Sequence, residues 1–249
     1  PGQDITGATF AACVDASLKR LQTDYIDVYQ LHWPNRGSYH FRQGWNYDPS
    51  GQDKAKTLDN MMEVLEAADA AQKAGKIRHF AQSNESAWGI AQWLRLSDDH
   101  GLPRVQTLQN EYSLLCRLYD TDLAELSVNE QITLLAYSPL AAGLLTGKYQ
   151  GGAVPAGSRM DINGNLGGRK TDRVFPAVDA YLQIANKHGL DLIHMALAFT
   201  VQRPFPVSTI FGASTAAQLE RILAGLDVTL SAEVMADIEL AHKAHPMPF

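Results

Sequence analysis

This chain of 249 residues has few of the sequence features that indicate a metal-binding, membrane-spanning or nucleic-acid-binding protein. Only two cysteines occur, Cys13 and Cys116, and they fit no metal-ligand spacing, so we expect buried reduced thiols, a cytoplasmic setting and no bound metal. No apolar run approaches the roughly 20 residues that a membrane-spanning helix requires. The net charge of -6 argues against nucleic acid or an anionic membrane as a partner.

Strand-like and helix-like segments alternate along the chain. β-Branched and aromatic runs predict strands over residues 25–31, 77–82, 104–109, 132–137 and 208–211. Apolar residues at helical spacing predict helices around them, as in the stripe formed by Phe10, Val14, Leu18 and Leu21. This alternation indicates a parallel sheet covered by helices. No G-x-G-x-x-G follows any strand, which favours a barrel over an open dinucleotide-binding sheet, although a closed (β/α)8 barrel needs eight strands.

No segment of linker composition divides the chain, so we expect one domain over residues 1–249. A long loop over residues 33–56, rich in Gly, Asn, Asp, Tyr and Trp, is a candidate binding loop, and a second, Gly-rich loop covers residues 143–170. The chain opens on Pro1 and enters a predicted helix almost at once. We therefore expect a partial domain that lacks its first βα units.

The run Gln30-Leu31-His32-Trp33-Pro34 closes the first predicted strand. Pro34 cannot continue a paired central strand, so His32 falls at the carboxyl end of that strand. In parallel α/β proteins the chemistry collects at this end. His32 is therefore a candidate catalytic residue. The alternative is a structural histidine whose ring bonds to backbone groups.

Polar or aromatic groups also end the next strands, at Ser83-Asn84, Gln109-Asn110 and Tyr137-Ser138. Amides and a hydroxyl beside a flat aromatic face suit a planar ring that carries a carboxamide. Each group alone has a plainer explanation. Ser83 and Asn84 would cap the following helix, Gln109 would be a solvated loop residue, and Tyr137 would pack in the core.

Gly212-Ala213-Ser214 leads from the last strand into a helix and is a candidate phosphate cradle, because glycine permits close approach and a helix N-terminus attracts anions. The alternative is a simple left-handed turn. Lys148 and Arg159, in the second loop, are candidate cationic partners of a phosphate. Their alternative is an ordinary solvated loop.

These segments, in this order, resemble the aldo-keto reductase superfamily, in its bacterial Tas-type branch related to potassium-channel β subunits. The resemblance covers essentially the whole chain and is carried by Ser17–Leu21, Asp24–Pro34, Gly75–Arg78, Ser83–Glu85, Gln109–Ser113, Tyr137–Leu140, Gly143–Tyr149 and Gly212–Ser214. It implies a (β/α)8 TIM barrel, incomplete here, of which this chain supplies about the last five βα units. It also implies NADPH-dependent hydride transfer to an aldehyde or ketone carbonyl.

The resemblance implies a role for individual residues. In the family a Tyr protonates the developing alkoxide, Lys and Asp tune that Tyr, and a His orients the carbonyl; His32 matches the His. The implied NADPH contacts are Ser83, Asn84 and Gln109 for the nicotinamide carboxamide, Tyr137 for ring stacking, Ser138, Leu140 and Lys148 for the pyrophosphate, and Arg159, Gly212, Ser214 and Gln218 for the adenosine and 2′-phosphate. Residues 33–56 become the substrate-side loop, with Trp33, Trp45 and Tyr47 in the substrate pocket, and residues 143–170 become the cofactor-side loop.

Departures from the family pattern qualify this resemblance. The family's Asp, Tyr and Lys lie on its first three βα units, and no residue here is assigned to them. We therefore expect the chain alone to be inactive and, with unpaired strand edges, poorly soluble. Ala81-Gln82 replaces the usual Gly-Val and puts a polar side chain in a barrel strand, and Arg221-Ile222 replaces the usual adenine contacts.

Two functions follow from the resemblance. The first is a carbonyl reductase whose partner is a small-molecule carbonyl substrate, with no nucleic acid and no membrane, and with a homo-oligomer left open. The alternative is a non-catalytic NADPH-binding regulatory subunit similar to potassium-channel β proteins.

Overall fold

A computed structural model describes residues 4–249, so Pro1–Gln3, at which the chain opens, lie outside the described residues. The strands are β1 (Ile26–Leu31), β2 (Ile77–Ser83), β3 (Val105–Glu111), β4 (Thr133–Tyr137) and β5 (Val207–Ile210). The α-helices are α1 (Gly7–Leu21), α2 (Lys54–Lys73), α3 (Ala87–His100), α4 (Asp122–Glu130), α5 (Arg159–Ile162), α6 (Val174–Lys187), α7 (Leu192–Val201), α8 (Ala216–Leu223) and α9 (Ala232–Ala244).

The five strands form a parallel sheet in the order β1-β2-β3-β4-β5. Ile26 of β1 is opposite Ile77 of β2, and the pairing of β2 with β3 shifts register between Phe80 and Gln82. The predicted parallel α/β sheet is confirmed, and each predicted strand lies close to an observed one. This sheet contains five of the eight strands that make up a closed (β/α)8 barrel.

Capping residues decide where the main helices begin. Asp53 caps α2 by accepting a hydrogen bond from Lys56 N at 3.1 Å, so the first long loop ends at Asp53, earlier than predicted. Gly75 follows the C-cap Ala74 at φ 73°, the left-handed position that glycine usually fills after a helix.

Two expectations about burial are wrong. Cys13 is exposed and Cys116 is partly exposed, so neither is a buried thiol. Cys13 lies to the side of the buried stripe formed by Phe10 and Val14 on α1. Leu21, predicted to end that stripe, is 63% exposed, because it is the last helical residue and Gln22 then turns left-handed.

The chain divides into two compact units. Unit 1 extends to Asn110 and includes Glu125–Leu134, and unit 2 comprises Glu111–Ala124 and Leu135–Phe249. Each unit has its own aromatic core. In unit 1 Phe10 contacts Tyr29, with ring centroids 5.2 Å apart, and in unit 2 Tyr112 stacks on Phe199 at 5.9 Å. Among the helices of residues 4–249, none has both the length and the apolar character needed to cross a bilayer.

Candidate cofactor site

Asn84 ties three strand ends of unit 1 together. It follows β2 at φ 56°, a left-handed conformation that Asn adopts more readily than most residues. Its backbone N–H donates to Gln109 O at 3.0 Å, and its side-chain Nδ2 donates to His32 O at 2.9 Å and to Ser83 Oγ at 3.0 Å. The structure therefore brings together four predicted site residues from the ends of β1, β2 and β3.

Ser83 and Gln109 complete this polar set. Ser83 Oγ donates to Gln109 O at 2.7 Å, and Gln109 Oε1 accepts from Gln30 Nε2 at 2.7 Å. Within residues 4–249, Gln109 Nε2 has no hydrogen-bond partner, so this donor is available to a ligand. Gln109 lies inside β3, so the alternative of a solvated loop residue is wrong.

The helix-capping alternative for Ser83 and Asn84 is also wrong. Ser86 is the N-cap of α3, and its Oγ accepts from Gly89 N at 3.2 Å. Both predicted site residues are buried and use their side chains within the strand-end set instead.

His32 presents an exposed ring at the end of β1. Its ring centroid lies 4.1 Å from that of Trp33 and 6.5 Å from that of Phe41. Within the described part of the chain, the ring makes no hydrogen bond to a backbone group, which is contrary to the structural-histidine alternative. The arrangement leaves the imidazole accessible to a ligand.

The three residues predicted to line a substrate pocket are in different environments. Trp33 packs beside His32 and is 42% exposed, whereas Trp45 is 56% exposed on the loop. The Tyr47 hydroxyl accepts from Gln52 Nε2 at 2.9 Å, and its ring centroid lies 6.0 Å from that of Tyr39. Of the three, Trp33 is the one that the structure places beside His32.

A buried ion pair next to Asn84 was missed by the sequence reasoning. Arg36 Nη1 donates to Glu85 Oε2 at 2.9 Å, Arg36 Nη2 contacts Oε1 of the same carboxylate, and both side chains are almost fully buried. Trp93 Nε1 at 3.3 Å and Ser86 N at 2.7 Å also donate to this carboxylate. Between Arg78 and Arg95, Glu85 is the sole Asp, Glu, Lys or Arg, which is a signal that the sequence offered.

The backbone of Glu85 is held as firmly as its side chain. Asn110 Nδ2 donates to Glu85 O at 3.0 Å, and His40 Nε2 lies 3.1 Å from the same oxygen. Gln52 Nε2 donates to Arg36 O at 3.2 Å. The loop between β1 and α2 is thereby fastened to the residue that follows Asn84.

In unit 2, the turn after β4 carries the next predicted contacts. Tyr137 is half-buried, and its backbone O accepts from Tyr112 N at 3.2 Å. Ser138 follows at φ 55°, and its Oγ lies 3.4 Å from Arg169 Nη2. Arg169 is buried and its Nε pairs with Glu111 Oε1 at 2.7 Å, so it is not a solvated loop charge.

The turn around Leu140 has an unusual backbone. Leu140 O accepts from Gly143 N at 2.9 Å, while Ala141, Ala142 and Gly143 have φ values of 47°, 57° and 94°. Left-handed alanines are strained, and such strain is concentrated at functional sites. The exposed Lys148 packs on this turn, since a Cβ at Gly143 would lie 3.1 Å from Lys148 Cε.

At the end of β5, residues 212–214 do not adopt a left-handed φ, so the simple-turn alternative is wrong. A Cβ at Gly212 would meet no atom within 4 Å, which leaves open space beside the start of α8. Ser214 N already donates to Gln218 Oε1 at 2.8 Å. Thr215 is the N-cap of α8.

The two remaining basic residues of this region differ in their pairing. Arg159 is exposed at the first position of α5, after the N-cap Ser158, and has no ion pair among the described residues. Arg221 Nε donates to Asp191 Oδ2 at 2.7 Å. Arg221 thus forms an ion pair within its own unit.

The sequence model of the Aldo/keto reductase family matches residues 2–243. This chain belongs to that family. It is 43% identical over 249 residues to "Protein tas" of Escherichia coli (strain K12), with 100% of this chain and 70% of the relative covered. It is 35% identical over 215 residues to "Aldo-keto reductase" of Babesia bovis, covering 83% and 75% of the two chains.

A further relative is "Probable voltage-gated potassium channel subunit beta" of Arabidopsis thaliana, 32% identical over 237 residues, covering 93% of this chain and 66% of the relative. The predicted family is confirmed, and its membership supports an oxidoreductase activity. The match from residue 2 gives no support to the expectation of absent N-terminal units, nor to that of an inactive chain.

Proposed function

We propose that this protein reduces an aldehyde or ketone to an alcohol with NADPH, on a (β/α)8-type fold of the aldo-keto reductase family, to which the described residues contribute five strands. The observation that carries the proposal is the strand-end set of Ser83, Asn84 and Gln109, joined by hydrogen bonds to the residue that bears the exposed imidazole, His32. Polar groups at the carboxyl ends of parallel strands are the usual position of chemistry in α/β proteins. Family membership supports the same reaction class.

The residues of unit 1 fit a nicotinamide carboxamide. Such a group needs a donor for its oxygen and an acceptor for its amine. Gln109 Nε2 is a donor without a partner among the described residues, and Ser83 Oγ, a hydroxyl with two lone pairs, can act as an acceptor. When bound, NADPH would supply the hydride to the carbonyl carbon, and the resulting alkoxide would take its proton from a donor that is not assigned to a residue here.

His32 is proposed to orient the substrate carbonyl. Asn84 fixes the backbone of His32 by the 2.9 Å hydrogen bond to its O, and Trp33 packs against its ring. The imidazole is thereby held in place and remains exposed, so a ring N–H can donate to a carbonyl oxygen. In this role His32 positions the reacting bond and also polarises it.

The residues of unit 2 are proposed to bind the rest of the cofactor. We assign Tyr137 to stacking on the nicotinamide ring, the pyrophosphate to Ser138, Leu140 and Lys148, and the adenosine and 2′-phosphate to Arg159, Gly212, Ser214 and Gln218. Lys148 and Arg159 are exposed cations without an ion pair among residues 4–249, which suits an anionic ligand. Open space at Gly212 permits close approach of that ligand.

The direct test is a titration of the whole chain with NADPH, followed by fluorescence, for the wild type and for Asn84→Ala. We expect saturable binding that weakens at least tenfold in the variant. The control is Asn129→Ala, since Asn129 is exposed on α4 and, among residues 4–249, its side chain bonds only to Glu125 O, 2.9 Å away. Absence of saturable NADPH binding in the folded wild type would contradict the proposal.

A regulatory subunit is the second candidate function, favoured by the 32% identity to a protein named as a potassium-channel β subunit. An assay with a panel of aromatic and aliphatic aldehydes separates the two functions. NADPH oxidation is followed by the loss of absorbance at about 340 nm. Turnover above the buffer rate supports the reductase. Tight NADPH binding with no turnover of any aldehyde supports the regulatory role.

A further inference from the structure

Two aromatic rings of the loop between β1 and α2 flank the imidazole of His32. The ring centroid of Trp33 lies 4.1 Å from that of His32, and the ring of Phe41 lies 6.5 Å away at an interplanar angle of 80°. Trp33 and Phe41 also contact each other, with centroids 5.9 Å apart and planes at 89°. The direction of the imidazole therefore depends on the conformation of this loop as well as on β1.

The loop has little regular structure of its own. Residues 32–53 contain no helix or strand. Phe41 and Arg42 have φ values of 59° and 64°, and the left-handed region is unfavourable for residues that carry a Cβ. Two such residues in succession persist where the surrounding structure fixes them. The conformation of the loop therefore depends on contacts with residues outside it.

Two of these contacts reach the same residue, Glu85. Arg36 pairs with the Glu85 carboxylate through both of its Nη atoms, and His40 Nε2 lies 3.1 Å from Glu85 O. Arg36 comes three residues after Trp33, and His40 comes directly before Phe41. Each aromatic neighbour of the imidazole is thus close in the chain to a residue that is fixed to Glu85.

Helix α3 encloses the Arg36 side chain. Arg36 Nη2 donates to Ser86 Oγ at 3.1 Å, and the guanidinium carbon lies 5.0 Å from the ring centroid of Trp88. Gly89 leaves room for it, because a Cβ there would collide with Arg36 Nη2. The side chains of Arg36 and Glu85 are 7% and 1% exposed. Apolar side chains often replace a buried ion pair without loss of stability, so stability alone does not account for this pair.

We propose that Arg36 and His40 are positioning residues for the imidazole of His32. They act through Glu85, which fixes the loop so that its two aromatic rings stay against the imidazole. Asn84, one residue earlier, holds the backbone of His32 by the hydrogen bond to its O. The two residues after β2 thus fix both the backbone and the ring of His32. The consequence for catalysis rests on the proposed carbonyl-orienting role of His32, whereas the position of the ring can be measured without cofactor or substrate.

The test is the proton NMR shift of the His32 ring in the whole chain, at about pH 8.5, where an ordinary histidine is neutral. The ring current of the neighbouring indole displaces this shift from its value in the urea-unfolded chain. The signals are assigned with His32→Gln and His79→Gln. His79 lies on β2 opposite Val28 of β1, so it reports on the sheet itself.

Three changes to the anchors are compared. In Arg36→Met/Glu85→Met and in His40→Leu, we expect the His32 ring to lose at least half of its displacement, while the His79 signals stay in place. Arg36→Lys keeps the buried charge without the two-pronged contact and is expected to lose less. The matched control is Arg95→Met/Asp99→Met, which removes an exposed pair from α3 and is expected to leave His32 unchanged.

Two results would overturn the proposal. The first is an unchanged His32 shift in the folded anchor variants. The second is a His79 shift that moves together with that of His32, since this would show a general loosening of the sheet instead of a movement of the loop.

Enzyme assays separate this proposal from the reductase function. With an aldehyde that the wild type reduces, we expect His40→Leu to lower kcat at least tenfold and to change NADPH affinity less than twofold. Equal losses of turnover and NADPH affinity would connect His40 with the cofactor instead and overturn the proposal. If the chain bound no NADPH and reduced no aldehyde, the reductase function would fail, and the NMR shifts would still decide whether the loop positions His32.

Discussion

Asn84 Nδ2 lies 2.9 Å from the backbone oxygen of His32, so the residue after β2 holds the residue after β1. The same side chain is proposed to contact the nicotinamide carboxamide. One amide thus connects the proposed cofactor contact with the proposed carbonyl-orienting residue. A change at Asn84 is therefore expected to affect both ligands.

Two replacements of Asn84 distinguish the contribution of its side chain from that of its left-handed backbone conformation. Asn84→Gly and Asn84→Ala both lose the bond to His32 O, but alanine must also adopt φ 56°. We expect Asn84→Ala to be less stable than Asn84→Gly by about 1–2 kcal/mol in urea unfolding, because a Cβ disfavours the left-handed region. Both variants are expected to lose NADPH affinity. Equal stability of the two would contradict the strained backbone.

Arg36→Met is expected to destabilise the protein strongly, because it leaves the buried Glu85 carboxylate without its cation. The expected loss is roughly 3–5 kcal/mol of unfolding free energy. The control is Arg95→Met, whose pair with Asp99 is exposed and is worth at most about 1 kcal/mol. The double variant Arg36→Met/Glu85→Met is expected to be more stable than Arg36→Met alone. A loss no larger than in the control would show that the buried pair is not structural.

Gly89→Ala is expected to destabilise α3, although alanine is normally the better helix former by about 1 kcal/mol. A Cβ at Gly89 would collide with the Glu85 carboxylate and with Arg36 Nη2. Gly51→Ala is the control, since a Cβ there meets no atom within 4 Å. Thermal unfolding of the two variants shows whether each substitution raises or lowers the stability of the protein. A stabilised Gly89→Ala protein would be inconsistent with the close approach of the ion pair.

Substitution of Tyr137 tests the proposed stacking of its ring on the nicotinamide ring. Tyr137→Phe keeps the aromatic face, whereas Tyr137→Leu removes it. Since aromatic stacking contributes about 0.5–1.5 kcal/mol beyond area burial, we expect NADPH affinity to fall roughly two- to tenfold in the leucine variant only. Fluorescence titration measures the difference. Equal affinities of the phenylalanine and leucine variants would exclude stacking as the role of Tyr137.

The burial of His242, in unit 2, predicts that the stability of the protein depends on pH. Burial lowers the pKa of His242 from its usual 6.5, and the cations of Arg117 and Arg203 lower it further, while Glu239 and Asp120 raise it. The folded state therefore favours the neutral ring. As the pH falls below about 6.5, the unfolded chain binds the proton more readily, and stability decreases.

We expect His242→Gln to lose part of this decrease. The measurement is urea unfolding of wild type and variant between pH 7.5 and 5, about one to two units on either side of the histidine pKa. The wild type should lose more stability over this window than the variant. A steeper pH dependence in the variant would contradict the lowered pKa that burial gives His242.

Local sequence patterns determined the number of strands, their parallel arrangement and the residues at their carboxyl ends. A strand's period of two and a helix's period of 3.6 are properties of consecutive residues. Pro34 and the polar residues that follow each apolar run mark the strand ends directly. The positions of His32, Ser83, Asn84 and Gln109 at the ends of neighbouring strands were therefore predictable, as was the family.

Only the tertiary structure decided which of these groups meet and which lack a partner. Arg36 and Glu85 are 49 residues apart, and Arg169 and Glu111 are 58 apart, so no local pattern pairs them. The unpaired amide of Gln82 depends on what surrounds it in three dimensions, and the sequence showed only that it is polar. Hydrogen bonds and ion pairs act over a few ångströms, and folding alone brings such distant residues within that range.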